Sequence, residues 1–185
     1  IINQEHPRTL VRKSAEHRVY ECLINEDWQE KGLATIFVIR QLPNLKYIFG
    51  TYLVDTLCLG LKNTFCNANI PYSAIQSMTS RAGGSMVNIE YEDARSIILG
   101  GIEYANGLGF APNRDWEDSK YVVESERPFD DRFEFGKDGE PIYIPGPDDN
   151  PIEIMSKLKT ALNKSSKEYG TTFSRDSHSG VYCPV

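Results

Sequence analysis

The chain has 185 residues, of which 40% are hydrophobic and 25% are charged. This composition is typical of a single globular domain that is long enough to bury a core without disulfides or metals. With 26 acidic and 20 basic residues, the net charge is −6, which argues against nucleic-acid binding driven by overall charge.

The first part of the chain predicts an N-terminal arm followed by the core sheet. Residues 1–16 are polar and predict an arm or a short helix, and residues 18–25 predict a short strand. Residues 33–41 and 46–61 are rich in β-branched and aromatic side chains, and a turn at Pro43 separates them. These two runs predict an antiparallel hairpin whose second strand is long or is bent at a glycine.

The middle of the chain predicts helices. A short helix is expected over residues 71–81, with its proline near the first turn. Apolar residues recur at helical spacing over residues 91–108 and predict a longer helix that packs on the sheet. Residues 113–124 predict a further helix with Trp116 and Val123 facing inward.

The last part of the chain predicts a second hairpin, a helix and a tail. Aromatic residues alternate around an Asp-Gly pair over residues 133–144, which is typical of a small hairpin. Asn150 before Pro151 indicates the N-cap and first turn of a helix. Residues 165–185 are polar and serine-rich, and they predict a tail.

Together these elements predict an α+β fold. We expect a mainly antiparallel sheet with a central hairpin, two to three packed helices and a second small hairpin. The predicted organisation is an arm over residues 1–16, a single domain over 17–164 and a tail over 165–185.

Cysteine usage and the absence of targeting segments bear on location. The four cysteines show no CxxC spacing. Cys22, Cys58 and Cys66 lie in apolar or mixed surroundings, which predicts reduced thiols of a cytosolic protein, whereas Cys183 lies in the polar tail. No apolar run reaches the roughly 18 residues that a membrane span needs, and the first residues lack the features of a secretory signal. We therefore expect a cytoplasmic protein with no membrane partner, and the missing initiator Met leaves open whether further residues precede Ile1.

Asp55, Cys58 and Lys62 form the first candidate site, because they place an acid, a thiol and an amine among apolar residues. A nearby amine lowers the pKa of a thiol, as a cysteine nucleophile requires. The alternative is structural, with Cys58 as a small buried hydrophobe and the two charges as an ion pair or strand ends. On one strand Asp55 lies on the opposite face, and Cys58 and Lys62 are about 13 Å apart. We favour the structural interpretation.

The acidic segment between Glu124 and Glu153 is the second candidate, as a site for a hard cation. It lacks the alternating ligands of a calcium loop, which favours a solvated acidic face. The aromatic residues of the predicted strands lack the interleaved basic residues of a nucleic-acid stacking surface. The sequence therefore predicts no metal and no cofactor.

Three stretches carry a resemblance to known proteins: YLVDTLCLGLKNTF, IEYANGLGF and FEFGKDGEPIYIPGPDD. Over roughly residues 20–160 the chain resembles a family of bacterial proteins of unknown function. The resemblance implies a self-contained bacterial domain and brings no activity with it. The recurrent positions of the family match Asp55, Cys58, Gly60, Lys62, Gly136 and Gly146.

Three classes of function follow from the sequence. The leading hypothesis is a non-catalytic interaction or accessory module of a bacterial cytoplasmic system, with a protein partner. The second is a hydrolase or nuclease that uses Cys58 with Lys62, or a metal held by the acidic residues. The third is a nucleic-acid-associated subunit that reaches phosphate through a larger complex. The absence of a complete triad or metal motif favours the first and leaves the question of catalysis open.

Overall fold

The computed structural model describes residues 5–168 and shows an α+β fold on one antiparallel sheet. The sheet order is β4-β3-β2-β1-β5, formed by β1 (Val19–Asn25), β2 (Leu33–Gln41), β3 (Tyr47–Asp55), β4 (Gly60–Ile70) and β5 (Met86–Asn88). The predicted fold class and the central β2–β3 hairpin are confirmed. The predictions for residues 1–4 and 169–185 lie outside the described residues.

Helices cover both faces of this sheet. They are α1 (Pro7–Arg12), α2 (Trp28–Lys31), α3 (Tyr72–Arg81), α4 (Tyr91–Gly107), α5 (Trp116–Ser119) and α6 (Pro151–Glu168). The short helix after residue 71, the long helix over 91–108 and the last helix are confirmed. Within the predicted arm, α1 buries Val11 against the core. No helix in the described part of the chain is long and apolar enough to cross a membrane.

Helix α4 packs closely on one face of the sheet. Ile97 and Ile98 are fully buried, in the same cluster as Val54 of β3. The approach depends on glycine: a Cβ on Gly101 would lie 2.7 Å from Val54 Cγ1. A Cβ on Gly60, at the start of β4, would lie 2.6 Å from both Gly101 O and Ala105 Cβ. Helix α4 therefore approaches the sheet closely because Gly60 and Gly101 carry no side chains at the contact.

The predicted long strand over residues 46–61 is wrong. β3 ends at Asp55, a turn occupies residues 56–59, and β4 returns antiparallel to β3. Gly60 adopts the left-handed conformation, with φ 64°, that most side chains disfavour. The turn carries Leu57 and Leu59 because it is packed under neighbouring segments, and apolar turns of this kind resemble strands in sequence.

The helix predicted over residues 113–124 is also wrong, since α5 spans four residues and the chain then continues through turns. Trp116 and Val123 do face the core, as predicted. The turns are held by Arg95 of α4, which is fully buried. Its guanidinium donates to the carbonyls of Val123, Glu124, Arg127 and Pro128 and to the carboxylate of Glu92.

The second hairpin, predicted over residues 133–144, is reduced to a tight turn with one bridge between Lys137 and Glu140. Asp138 and Gly139 both have positive φ, as the predicted Asp-Gly turn requires. The flanking backbone does not pair with itself any further. Gly136 N donates to Thr56 O at 2.8 Å and Ile142 N donates to Leu57 O at 3.1 Å. The segment therefore lies against the β3–β4 turn.

Candidate functional site

Two of the three candidate residues line one cleft. Because β4 folds back along β3, Asp55 and Lys62 both face a cavity of about 680 Å³ at the end of the sheet. We call it the Lys62 cleft. The prediction of opposite faces is wrong, because it assumed one continuous strand. Cys58 lies in the turn between the two residues and does not line the cleft.

Asp55 caps the β3–β4 turn. Its Oδ1 accepts hydrogen bonds from Leu57 N at 2.9 Å and from Cys58 N at 3.0 Å. Burial raises the pKa of the Asp55 carboxyl above its ordinary value, although the backbone donors and Lys62 act in the opposite direction. The side chain therefore has a clear structural role, and it is also a titratable group beside a cavity.

Cys58 is fully buried in a small cluster with Ala105, Phe110, Tyr143 and Leu158. Burial raises the pKa of its thiol to about 12, and the negative charges of nearby carboxylates act in the same direction. A thiol with so high a pKa carries almost no thiolate at neutral pH and is a poor nucleophile. This geometry agrees with the structural interpretation of Cys58.

Lys62 pairs with Asp149, which is 87 residues away in sequence. Lys62 Nζ lies 2.9 Å from Asp149 Oδ1 and 3.1 Å from Oδ2, and Gly146 N donates to Oδ2 at 2.8 Å. Burial acts to raise the pKa of Asp149, but the hydrogen bonds from Lys62 and Gly146 outweigh it and lower the pKa below its ordinary value. This ion pair ties the loop of residues 145–149 to β4.

The walls of the Lys62 cleft combine apolar and polar side chains. Its apolar members include Leu33, Leu53, Leu57 and Ile144, and its polar members include Lys31, Asn63, Asn113 and Asp148. Asn113 is already used, since its backbone and side-chain amides donate to Leu61 O and Lys62 O. Such a mixture suits a ligand that offers both apolar groups and hydrogen bonds.

The acidic segment does not form a cation site. Among residues 5–168, no group of three or more His, Cys, Asp or Glu side chains is placed to hold a metal ion. Several of its carboxylates are instead engaged by basic residues. Arg40, which is buried, lies 2.6 Å from Glu124, and Arg132 contacts both Asp93 and Asp130.

Asp149 is a site residue that the sequence analysis did not single out, although it lies in the acidic segment and in the same loop as Gly146. Its other signal was its place in the IPGPDD stretch of the resemblance, and no local pattern connects that stretch with Lys62. The site thus comprises the turn capped by Asp55, the buried thiol of Cys58 and the ion-paired Lys62, which lies beside the cleft. Comparison with known proteins adds no relative: no family model, no curated protein and no solved structure matches this chain.

Proposed function

We propose that this protein is a non-catalytic interaction module of the bacterial cytoplasm, which binds an extended segment of a partner protein in the Lys62 cleft. The observation that carries the proposal is the cleft itself, which apolar and polar side chains line together at one end of the sheet. Under this proposal, any association with nucleic acid is made by the partner protein and not by this chain.

The lining of the cleft supports a peptide ligand. Its volume of about 680 Å³ falls within the roughly 300–1,000 Å³ of small-molecule sites, so the cleft would hold a short part of a peptide. Leu33, Leu53 and Ile144 supply apolar contact, and Ile144 is 53% exposed in the absence of a ligand. An extended peptide offers alternating apolar side chains together with main-chain hydrogen-bonding groups, so it matches both kinds of wall.

The state of the reactive groups supports binding over catalysis. The Cys58 thiol is sealed in the core and its pKa is raised to about 12. Lys62 forms an ion pair with Asp149 and not with a cysteine thiolate. The three cysteines in the described part of the chain are free, as a protein of the reducing cytoplasm requires.

One observation favours an enzyme as the second candidate. Asp55 faces the cleft and burial raises its pKa, which is a property of acid–base groups in hydrolases. Asp55→Asn tests this, because the amide oxygen can still accept the two turn hydrogen bonds while the titratable proton is lost. Under our proposal, wild type and Asp55→Asn are equally inactive on ester and phosphodiester substrates. Hydrolysis by wild type that Asp55→Asn abolishes would favour the enzyme.

Selection from a phage-displayed peptide library tests the proposed function. We expect enriched peptides to bind wild type and to lose most of their affinity for Ile144→Asp, measured by calorimetry. Leu45→Asp is the matched control, since Leu45 is 74% exposed and lies in the turn at the opposite end of β3. Failure to enrich any peptide, or peptides that bind Ile144→Asp as well as wild type, would contradict the proposal.

A further inference from the structure

The positive charges of the Lys62 cleft are already neutralised within the chain. Lys31 and Lys62 both line the cleft. Lys31 Nζ lies 2.5 Å from Asp27 Oδ2, and Lys62 Nζ lies 2.9 Å from Asp149 Oδ1. Both cations are therefore committed to carboxylates, and neither one forms an ion pair with the other acidic residues that line the cleft.

Asp55 and Asp148 are the two acidic residues that remain. Asp55 is only 7% exposed, and its hydrogen-bond donors are the backbone N–H groups of Leu57 and Cys58. No side chain among residues 5–168 forms a hydrogen bond or an ion pair with its carboxylate. Asp148 is exposed, lines the same cleft and has no ion pair within the described part of the chain. The unpaired charges of the cleft are therefore negative.

A cation from a ligand would complete the surroundings of Asp55. Burial raises the pKa of this carboxyl, and the more distant charge of Lys62 lowers it only in part. A carboxylate removed from water forms its strongest hydrogen bonds with charged donors. A ligand that brings an ammonium or guanidinium group to Asp55 thus adds an interaction that the free protein lacks.

The apolar lining of the cleft matches the rest of a basic side chain. Lysine and arginine carry their charge on a stem of methylene groups, which packs on apolar surface while the charged end meets a polar partner. Leu33, Leu53 and Leu57 line the cleft together with Asp55. This combination of leucines and a carboxylate is complementary to both parts of such a side chain.

The charge of the whole chain favours the same kind of ligand. The net charge is −6, and residues 124–153 contain ten acidic and three basic side chains. The loop of residues 145–149, which lines the cleft, belongs to this segment. A negative field attracts a basic segment of a partner and repels an acidic one.

We propose that the partner segment in the Lys62 cleft carries a lysine or arginine, whose charged end pairs with Asp55 and whose stem packs on the leucines of the cleft. This inference rests on the proposed function and adds the chemistry of the partner, which is an extended segment with a basic residue beside apolar ones. Asp148 contributes a second negative charge that attracts the same residue.

Two phage-displayed libraries that differ only in whether they contain lysine and arginine test the proposal. Ile144→Gln identifies peptides that occupy the cleft, because it removes an apolar contact without adding a charge. We expect peptides that lose affinity for Ile144→Gln to be enriched from the basic library alone. Equal enrichment of such peptides from both libraries would overturn this inference and leave the proposed function intact. Enrichment from neither library would contradict both.

Calorimetry with an enriched peptide tests the pairing with Asp55. We expect Asp55→Asn to lower the affinity at least about tenfold, since it removes a charged hydrogen bond, and the exposed Asp148→Asn to lower it about threefold. Asp131→Asn is the matched control, because Asp131 is an exposed residue of the same acidic segment and does not line the cleft. An equal loss for Asp131→Asn and Asp55→Asn would mean that only overall charge matters, and would overturn the pairing.

A change in the peptide separates the ion pair from the structural role of Asp55 in the turn. When glutamine replaces the basic residue of the peptide, we expect affinity for wild type to fall at least about tenfold. The neutral peptide should then bind wild type and Asp55→Asn with similar affinity, because the charge that pairs with Asp55 is gone. A tenfold effect of Asp55→Asn on the neutral peptide would show that the substitution acts through the turn, and would refute the proposal.

Discussion

Gly60 is where β4 and α4 come closest, and its replacement by alanine tests that contact. The residue has φ 64°, and an added Cβ would lie 2.6 Å from Gly101 O and 2.6 Å from Ala105 Cβ. Both neighbours belong to α4, and one of them is backbone, so the added methyl group cannot be accommodated by a side-chain rotation. Helix α4 must shift from the sheet or the turn must distort.

The expected cost has two parts. The left-handed conformation costs alanine about 1–2 kcal/mol, and forcing a methyl group into a packed contact costs about 1–3 kcal/mol more. Gly60→Ala should therefore lower the free energy of unfolding by about 2–5 kcal/mol. Gly83→Ala is the control, because Gly83 has φ 76° and no atom within 4 Å of the added Cβ. The free energy of unfolding of Gly83→Ala should fall only by the cost of the left-handed conformation.

Equilibrium unfolding in urea, followed by tryptophan fluorescence and circular dichroism, measures both variants. The effect of Gly→Ala on the unfolded chain is the same at both positions and cancels in the comparison. The difference between the two variants therefore reports the contact with α4. Equal losses in the two variants would refute the argument that the glycine contact stabilises the packing of α4 on the sheet.

Three further predictions concern the core, the thiol and the ion pair. Ile98→Asp should prevent folding, because Ile98 is fully buried and the variant would bury an unpaired charge; a soluble variant with a cooperative unfolding transition would contradict the packing of α4. The Cys58 thiol should react slowly with a disulfide reagent at neutral pH and reach the rate of a free thiol only in denaturant, because burial raises its pKa to about 12. Asp149→Asn should lower the free energy of unfolding by about 2 kcal/mol at pH 7, since it removes a charged hydrogen bond to Lys62. The folded-state pKa of Asp149 lies below its ordinary value, so its contribution is present above that ordinary value and is lost as the pH falls through the folded-state pKa. The difference between wild type and Asp149→Asn should therefore shrink in acid; a difference that is constant with pH would count against the ion pair.

The sequence predicted the elements whose side chains follow one period over a long run. Helix α4 is the clearest case, because Ile97, Ile98 and Ile102 recur at helical spacing and are buried in the structure. The β2–β3 hairpin was likewise predictable, since its turn contains Pro43 and Asn44 between two β-rich runs. In both cases local pattern and tertiary burial point to the same conformation.

The errors occurred where tertiary contacts replace local signals. Leu57 and Leu59 lie in a turn that is covered by other segments, so the turn appears as a strand in sequence. The turns after α5 replace a predicted helix because Glu124 adopts a positive φ, and Arg95 binds the carbonyls of Val123 and Glu124 in that conformation. The pairing of Lys62 with Asp149 joins residues 87 positions apart, and no local pattern contains that information.

The buried guanidinium of Arg95 determines which residues can occupy that position. A guanidinium has five N–H donors, and here Nε donates once while Nη1 and Nη2 donate twice each. An ammonium group has only three donors on a flexible stem, so lysine would leave at least two of these acceptors without a donor. The segment from Val123 to Pro128 has no helix or strand of its own, yet one planar cation gives it the fixed backbone geometry that secondary structure normally provides. That fixed geometry holds the carboxylate of Glu124 against the buried Arg40 and leaves Glu126 exposed to solvent.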